Sequence, residues 1–161
     1  MRTLTPVEAA VAVAIVGSVL ATTLPTFVHN LHASALVEPI DGLGRIATRA
    51  TAIAASRPIE NAYPGSVGLT PATVPAGQRV TDPPQTWDHP TWVELGFSFS
   101  VPHAFSFAFE SKNAPDLSTF RATAQGDLDG DGSLSTFELG GEVKAGGEPI
   151  TGSMDIHREV E

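Results

Sequence analysis

From Ala9 to Val28 the chain runs for twenty residues without a charge, and the nearest carboxylate, Glu8, stands at the mouth of that run. A helix rises about 1.5 Å per residue, so the run covers about 30 Å, the thickness of a bilayer's hydrocarbon core. No other stretch narrows the possible folds so far, because an apolar helix of this length has to be covered by lipid or by other helices. The sequence therefore predicts a membrane-spanning helix over residues 4–28, preceded by the stub Met1-Arg2-Thr3. Arg2 on the short side and a long acidic part on the other suit insertion with the N-terminus inside. The run is longer than the apolar core of a secretory signal peptide, and no clean small-x-small cleavage site follows it. Ala10, Ala12, Ala14, Gly17, Ser18 and Ala21 make the helix small-faced, which lets neighbouring helices approach closely.

Leu4-Thr5-Pro6-Val7-Glu8, followed by Gly17 and Pro25 inside the same apolar run, resembles the N-terminal helix of type IV pilins and the related type II secretion pseudopilins. The resemblance covers residues 1–30 and implies cleavage between Thr3 and Leu4, with Thr3 standing where the family carries Gly. It also implies a leader peptidase and methylase, an assembly machinery, and a chain held in inner-membrane lipid, N-in and C-out. After assembly the chain would stand in an extracellular filament of copies of itself. Gly17 and Pro25 would permit local melting of the helix on passing into that filament. A carboxylate in an apolar helix costs up to a few kcal/mol, and such groups usually have a partner. For Glu8 the partner would be the α-amine of Leu4 on a neighbouring subunit. The expected function is a structural subunit of a type IV pilus-like filament. The alternatives are a minor pilin or pseudopilin of a type II secretion system, and a monomeric single-span calcium-binding surface protein.

Past Pro25, where a kink is expected, apolar residues recur at Phe27, Leu31, Ala35, Leu36, Ile40, Leu43, Ile46, Ala50, Ile53 and Ala54. Steps of three and four mark one helical face, so residues 29–57 read as an amphipathic continuation. Pro39, Gly42 and Gly44 predict a bend or short break, and Ser56-Arg57-Pro58 an end. Residues 58–92 carry seven prolines and no period, and read as a connecting loop anchored by Tyr63, Trp87 and Trp92. Alternation then takes over. Leu95, Phe97 and Phe99 give one strand and Phe105, Phe107 and Phe109 a second; Phe120 to Ala124 give a third and Thr136 to Val143 a fourth. Across residues 93–161 this makes an antiparallel meander whose aromatic face needs a cover. The predicted fold is α+β, a long N-terminal helix on a four-stranded antiparallel sheet, which is also what the pilin resemblance implies.

Between the third and fourth strands, Asp127-Leu128-Asp129-Gly130-Asp131-Gly132-Ser133-Leu134-Ser135-Thr136-Phe137-Glu138 follows the twelve-residue calcium loop. Asp127, Asp129 and Asp131 would offer side-chain oxygens, Ser133 its carbonyl, Ser135 a direct or water-borne contact, and Glu138 two closing oxygens. A solvated acidic turn is the other reading of the same residues. The chain has no cysteine, so a metal clip rather than a disulfide is the expected fastener of the C-terminal part. Nine basic residues against 18 acidic ones, net charge -9, argue against nucleic acid as a partner. No spacing marks a nucleophile or a phosphate loop, so no catalytic activity is expected.

Overall fold

The computed structural model describes residues 6–157; within the first helix, the side chains of residues 8, 9, 12, 16, 17, 19, 20 and 22–35 lie outside that description. The chain divides into two compact units, Met1–Leu36 and Val37–Glu161. Helix α1 runs from Pro6 to Ala54, so its first part belongs to the first unit and residues 37–54 to the second. In the first unit, Ser18 Oγ donates back to the Ala14 carbonyl at 2.8 Å. Val7, Val11, Val13 and Ile15 are each more than half exposed.

The second unit is organised by an antiparallel sheet of five strands laid down in chain order. They are β1 (Val67–Thr70), β2 (Ser106–Lys112), β3 (Leu117–Gly126), β4 (Ser135–Lys144) and β5 (Ile150–His157). A single turn of 3-10 helix (Ile59–Asn61) precedes β1, and the short helix α2 (Pro90–Leu95) precedes β2. Alternation along the central strands sends Phe107, Phe109, Phe120, Ala122, Ala124, Phe137 and Leu139 into the core. Large faces small across the ladder: Phe107 pairs with Ala124, Phe109 with Ala122, and Phe120 with Gly141. Leu43, Ile46, Ala47 and Ala50 of α1 are buried in the same core. At Gly42 the helix lies close on the sheet, since a Cβ there would stand 2.5 Å from Phe107 Cε1. Glu38 ties the helix to the entry of β2. Its Oε1 accepts from the backbone N–H groups of Ala104 (2.8 Å) and Phe105 (3.0 Å), and its Oε2 accepts from Arg79.

Several expectations are corrected. The fold is not a long helix packed in pilin manner on four strands: the sheet has five, and only residues 37–54 of α1 share a unit with it. The stretch Leu95 to Phe99 is no strand. Pro90 opens α2, the His89 Nδ1 accepts from Thr91 N–H at its start, and Gly96 closes it in the left-handed region at φ 60°. Phe97 and Phe99, which alternation assigned to a sheet face, instead join Trp87, Trp92 and Phe107 in an aromatic cluster with ring centroids 5.1–5.8 Å apart. The Pro-rich segment is not a plain connector, because it supplies the edge strand β1. No break occurs at Pro39 to Gly44, where the helix is continuous and Gly42 serves close packing.

The membrane placement is corrected as well. A spanning helix needs about 20 consecutive apolar residues. Among the described residues no helix is long and apolar enough to cross a membrane, which overturns the expected anchoring in the inner membrane.

Candidate metal centre

The turn from β3 to β4 holds the acidic loop. Asp127 follows the last residue of β3 and is 5% exposed, an unusual place for a carboxylate. Two backbone donors meet it: Gly130 N–H reaches Oδ1 at 2.7 Å and Gly132 N–H reaches Oδ2 at 3.1 Å. Those bonds wrap the loop around the buried carboxylate. Wrapping requires backbone turns in the left-handed region, which Gly130 (φ 80°) and Gly132 (φ 90°) provide.

The next two carboxylates are fixed the same way. Asp129 Oδ1 accepts from Asp131 N–H at 3.1 Å, and Asp131 Oδ1 accepts from Ser133 N–H at 2.6 Å. The Ser133 backbone donor, followed by its hydroxyl, holds the Asp131 carboxyl below its ordinary value. A second segment buttresses the loop: Gly77 N–H donates to the Asp127 carbonyl at 2.8 Å, and Asp127 N–H to the Pro75 carbonyl at 3.4 Å.

One oxygen from each of Asp127, Asp129 and Asp131 can be chosen so that all lie within 4.8 Å of one another. Calcium holds its oxygen ligands at about 2.3–2.6 Å, so two ligands of one ion stand at most about 5 Å apart. The three aspartates therefore fit a single hard cation. Asp129 and Asp131 are exposed and open to solvent.

The remaining residues of the twelve divide differently. Ser133 is exposed on the loop, and Ser135 is already the first residue of β4, buried and paired with Gly126. Because side chains alternate along a strand, Glu138 points to the face opposite the buried Ser135 and Phe137. Its carboxylate sits 3.8 Å from Arg121 Nε, and its cross-strand neighbour on β5 is Asp155. In a helix-flanked loop the exiting helix brings the twelfth residue back to the ion; here the loop exits into a strand. Glu138 is not gathered with the three aspartates.

Of the residues assigned to processing and assembly, Thr3 and Leu4 lie outside the described residues. Glu8, Gly17 and Pro25 lie in helical backbone, and their surroundings are outside the described residues too.

A second polar constellation gave no signal in the sequence. Asp82 and His103 stand 21 residues apart in segments without periodicity, and both are buried. His103 Nδ1 donates to the Phe105 carbonyl at 2.8 Å, and Nε2 meets Asp82 Oδ2 at 2.8 Å. Trp87 Nε1–H donates to the same oxygen at 2.6 Å. Asp82 Oδ2 joins both rings, and no cavity opens onto the cluster among those described, so it fastens residues 80–87 to the entry of β2. Comparison with family models, with curated proteins and with solved structures returned no match.

Proposed function

We propose that the chain is a structural subunit that assembles with copies of itself through the first part of α1 into a pilus-like filament, and that calcium clips its β3–β4 loop. The observation that carries this reading is the apolar surface of the first unit. Val7, Val11, Val13 and Ile15 are more than half exposed, and Ala10, Ala14 and Ala21 are exposed beside them. Contiguous apolar surface on a helix marks an interaction site, and small residues allow close helix approach. Identical helices packed together would cover it, and the pilin-like register of Glu8, Gly17 and Pro25 supports that choice. In such a bundle an unpaired Glu8 is strongly unfavourable. Its pairing with a neighbour's N-terminal amine would then set the axial register.

Calcium is the cation that best suits three carboxylates and a carbonyl-rich turn, since it takes oxygen ligands in flexible geometry. Its role would be mechanical. It would neutralise the repulsion among Asp127, Asp129 and Asp131 and hold the β3–β4 connection in a domain without cysteine.

Two measurements test the two halves separately. Negative-stain microscopy of purified chain should give filaments for the wild type and none, or disordered ones, for Glu8→Ala; unchanged polymer yield and order would refute the assembly. Calcium at millimolar concentration should raise the melting temperature of the sheet unit, and Asp129→Ala should abolish the rise. An unchanged melting curve would leave the loop a solvated turn.

A further inference from the structure

Arginines in the sheet unit are treated in two ways. Arg57 pairs with Glu94, Arg79 with Glu38 and Arg121 with Glu138. Arg45 and Arg49 pair with no carboxylate among the described residues, although the chain carries twice as many acidic as basic residues. They stand one helical turn apart on α1, where side chains at i and i+4 share a face.

Neither side chain is loose. Arg45 lies over the Phe97 ring, its guanidinium carbon 5.2 Å from the centroid. Arg49 Nε donates to the Leu95 carbonyl at 3.4 Å, and its Nη2 packs against Gly96. Uncharged partners thus hold two cations in place, and neither forms an ion pair among the described residues.

The two guanidinium groups border an open groove of about 540 Å³ between α1 and residues 95–97. Gly44 leaves its middle clear, since a Cβ there would meet nothing within 4 Å. Asp41 also borders the groove and makes no ion pair with either arginine. Ile40, which lines the groove, is 45% accessible, and Val37, one turn before it on the helix, is 62% accessible. A small free anion would satisfy the cations and leave those two side chains wet. A polypeptide segment bearing carboxylates satisfies both.

We propose that this groove docks an acidic segment of a second copy of the chain. Charge complementarity selects the occupant: the net charge of the chain is -9, so a copy offers carboxylates on many surfaces, and this groove is where they find two preset, unpaired cations. A groove on one copy meeting a different surface of the next is a heterologous contact, which extends into open arrays rather than closing as a dimer. The inference rests on the self-assembly reading above and adds a second contact to it, in the sheet unit.

The test is sedimentation of the full chain at about 50 mM and about 500 mM salt, which shortens the screening length severalfold. The wild type should associate at low salt. Arg45→Glu/Arg49→Glu should weaken association by about tenfold or more. Lys112→Glu/Lys144→Glu, which changes the net charge equally on other elements, should weaken it far less. Circular dichroism checks that each variant keeps the wild-type fold. Equal weakening by both double variants, or no change in the groove variant, overturns the docking site. If the groove variant still polymerises fully while Glu8→Ala does not, the groove inference falls and the filament reading stands. A wild-type chain that stays monomeric throughout overturns both.

Discussion

Replacing Glu38 by alanine is the sharpest test of how α1 is held to the sheet. Its carboxylate is 9% exposed and bonded on both oxygens. Oε1 takes the backbone N–H groups of Ala104 and Phe105 at 2.8 and 3.0 Å, and both residues are buried. A hydrogen bond to a charged group contributes about 1.5–3 kcal/mol, and a buried donor left without an acceptor costs about 1–3 kcal/mol. The Arg79 contacts, at 2.8 and 2.7 Å, add less, because that guanidinium is half exposed and screened by solvent. Glu38→Ala should therefore lower unfolding stability by about 3–5 kcal/mol. Glu38→Gln keeps an oxygen for the two N–H groups and loses only the charge, so about 1–2 kcal/mol is expected. Arg79→Ala should cost at most about 1 kcal/mol. Urea unfolding followed by tryptophan fluorescence reports the sheet unit directly, since Trp87 and Trp92 both lie in it. A loss below about 1 kcal/mol for Glu38→Ala, or equal losses for Glu38→Ala and Arg79→Ala, would refute the argument that the backbone donors dominate.

Three further outcomes are expected. Asp82→Ala strips the acceptor from Trp87 Nε1 and His103 Nε2, both buried, and should cost about 2–4 kcal/mol in the same unfolding assay, with an altered tryptophan emission. Gly141→Ala would set a Cβ 2.3 Å from Phe120 Cε1 and 2.6 Å from the Ile150 carbonyl, so hydrogen exchange should show β5 loosened at a cost of about 1–3 kcal/mol. Burial, followed by the nearby Glu142 carboxylate, pushes the Tyr63 hydroxyl up to about 12 from 10.0. The unfolded chain releases that proton first, so stability is unaffected below pH 10 and falls as pH rises toward 12; Tyr63→Phe should flatten that part of an alkaline unfolding profile.

What could be read from the chain alone depended on how local the cause was. Phe105, Phe107 and Phe109 betrayed β2 because a half-buried strand writes its period into consecutive residues. The same pattern at Leu95, Phe97 and Phe99 misled, because Pro90, His89 and Gly96 close a helix just upstream and the aromatic rings are buried by Trp87 and Trp92 instead. β1 was hidden by its length of four residues among prolines, and β5 by its exposure, which leaves no alternation to see. The spacing of Asp127, Asp129 and Asp131 was legible because one loop brings them together within five positions. Where Glu138 would point was not, since that depends on whether a strand or a helix follows the loop. Asp82 with His103, and Arg45 with Phe97, meet only through tertiary packing, so no spacing rule announces either pair.

Strand order follows chain order throughout the sheet, and this bears on how the unit is built during synthesis. Each new strand can be added to the one before it as it leaves the ribosome, without waiting for a distant partner, and short-range pairing of this kind favours rapid folding. Two pieces of the unit do wait for distant partners. The helix made first has to wait for β2 before Glu38 finds the backbone of Ala104 and Phe105, and β1 has to be held ready across α2 until β2 appears. An arrest of translation after β4 should thus leave a nearly complete sheet, lacking only its last strand.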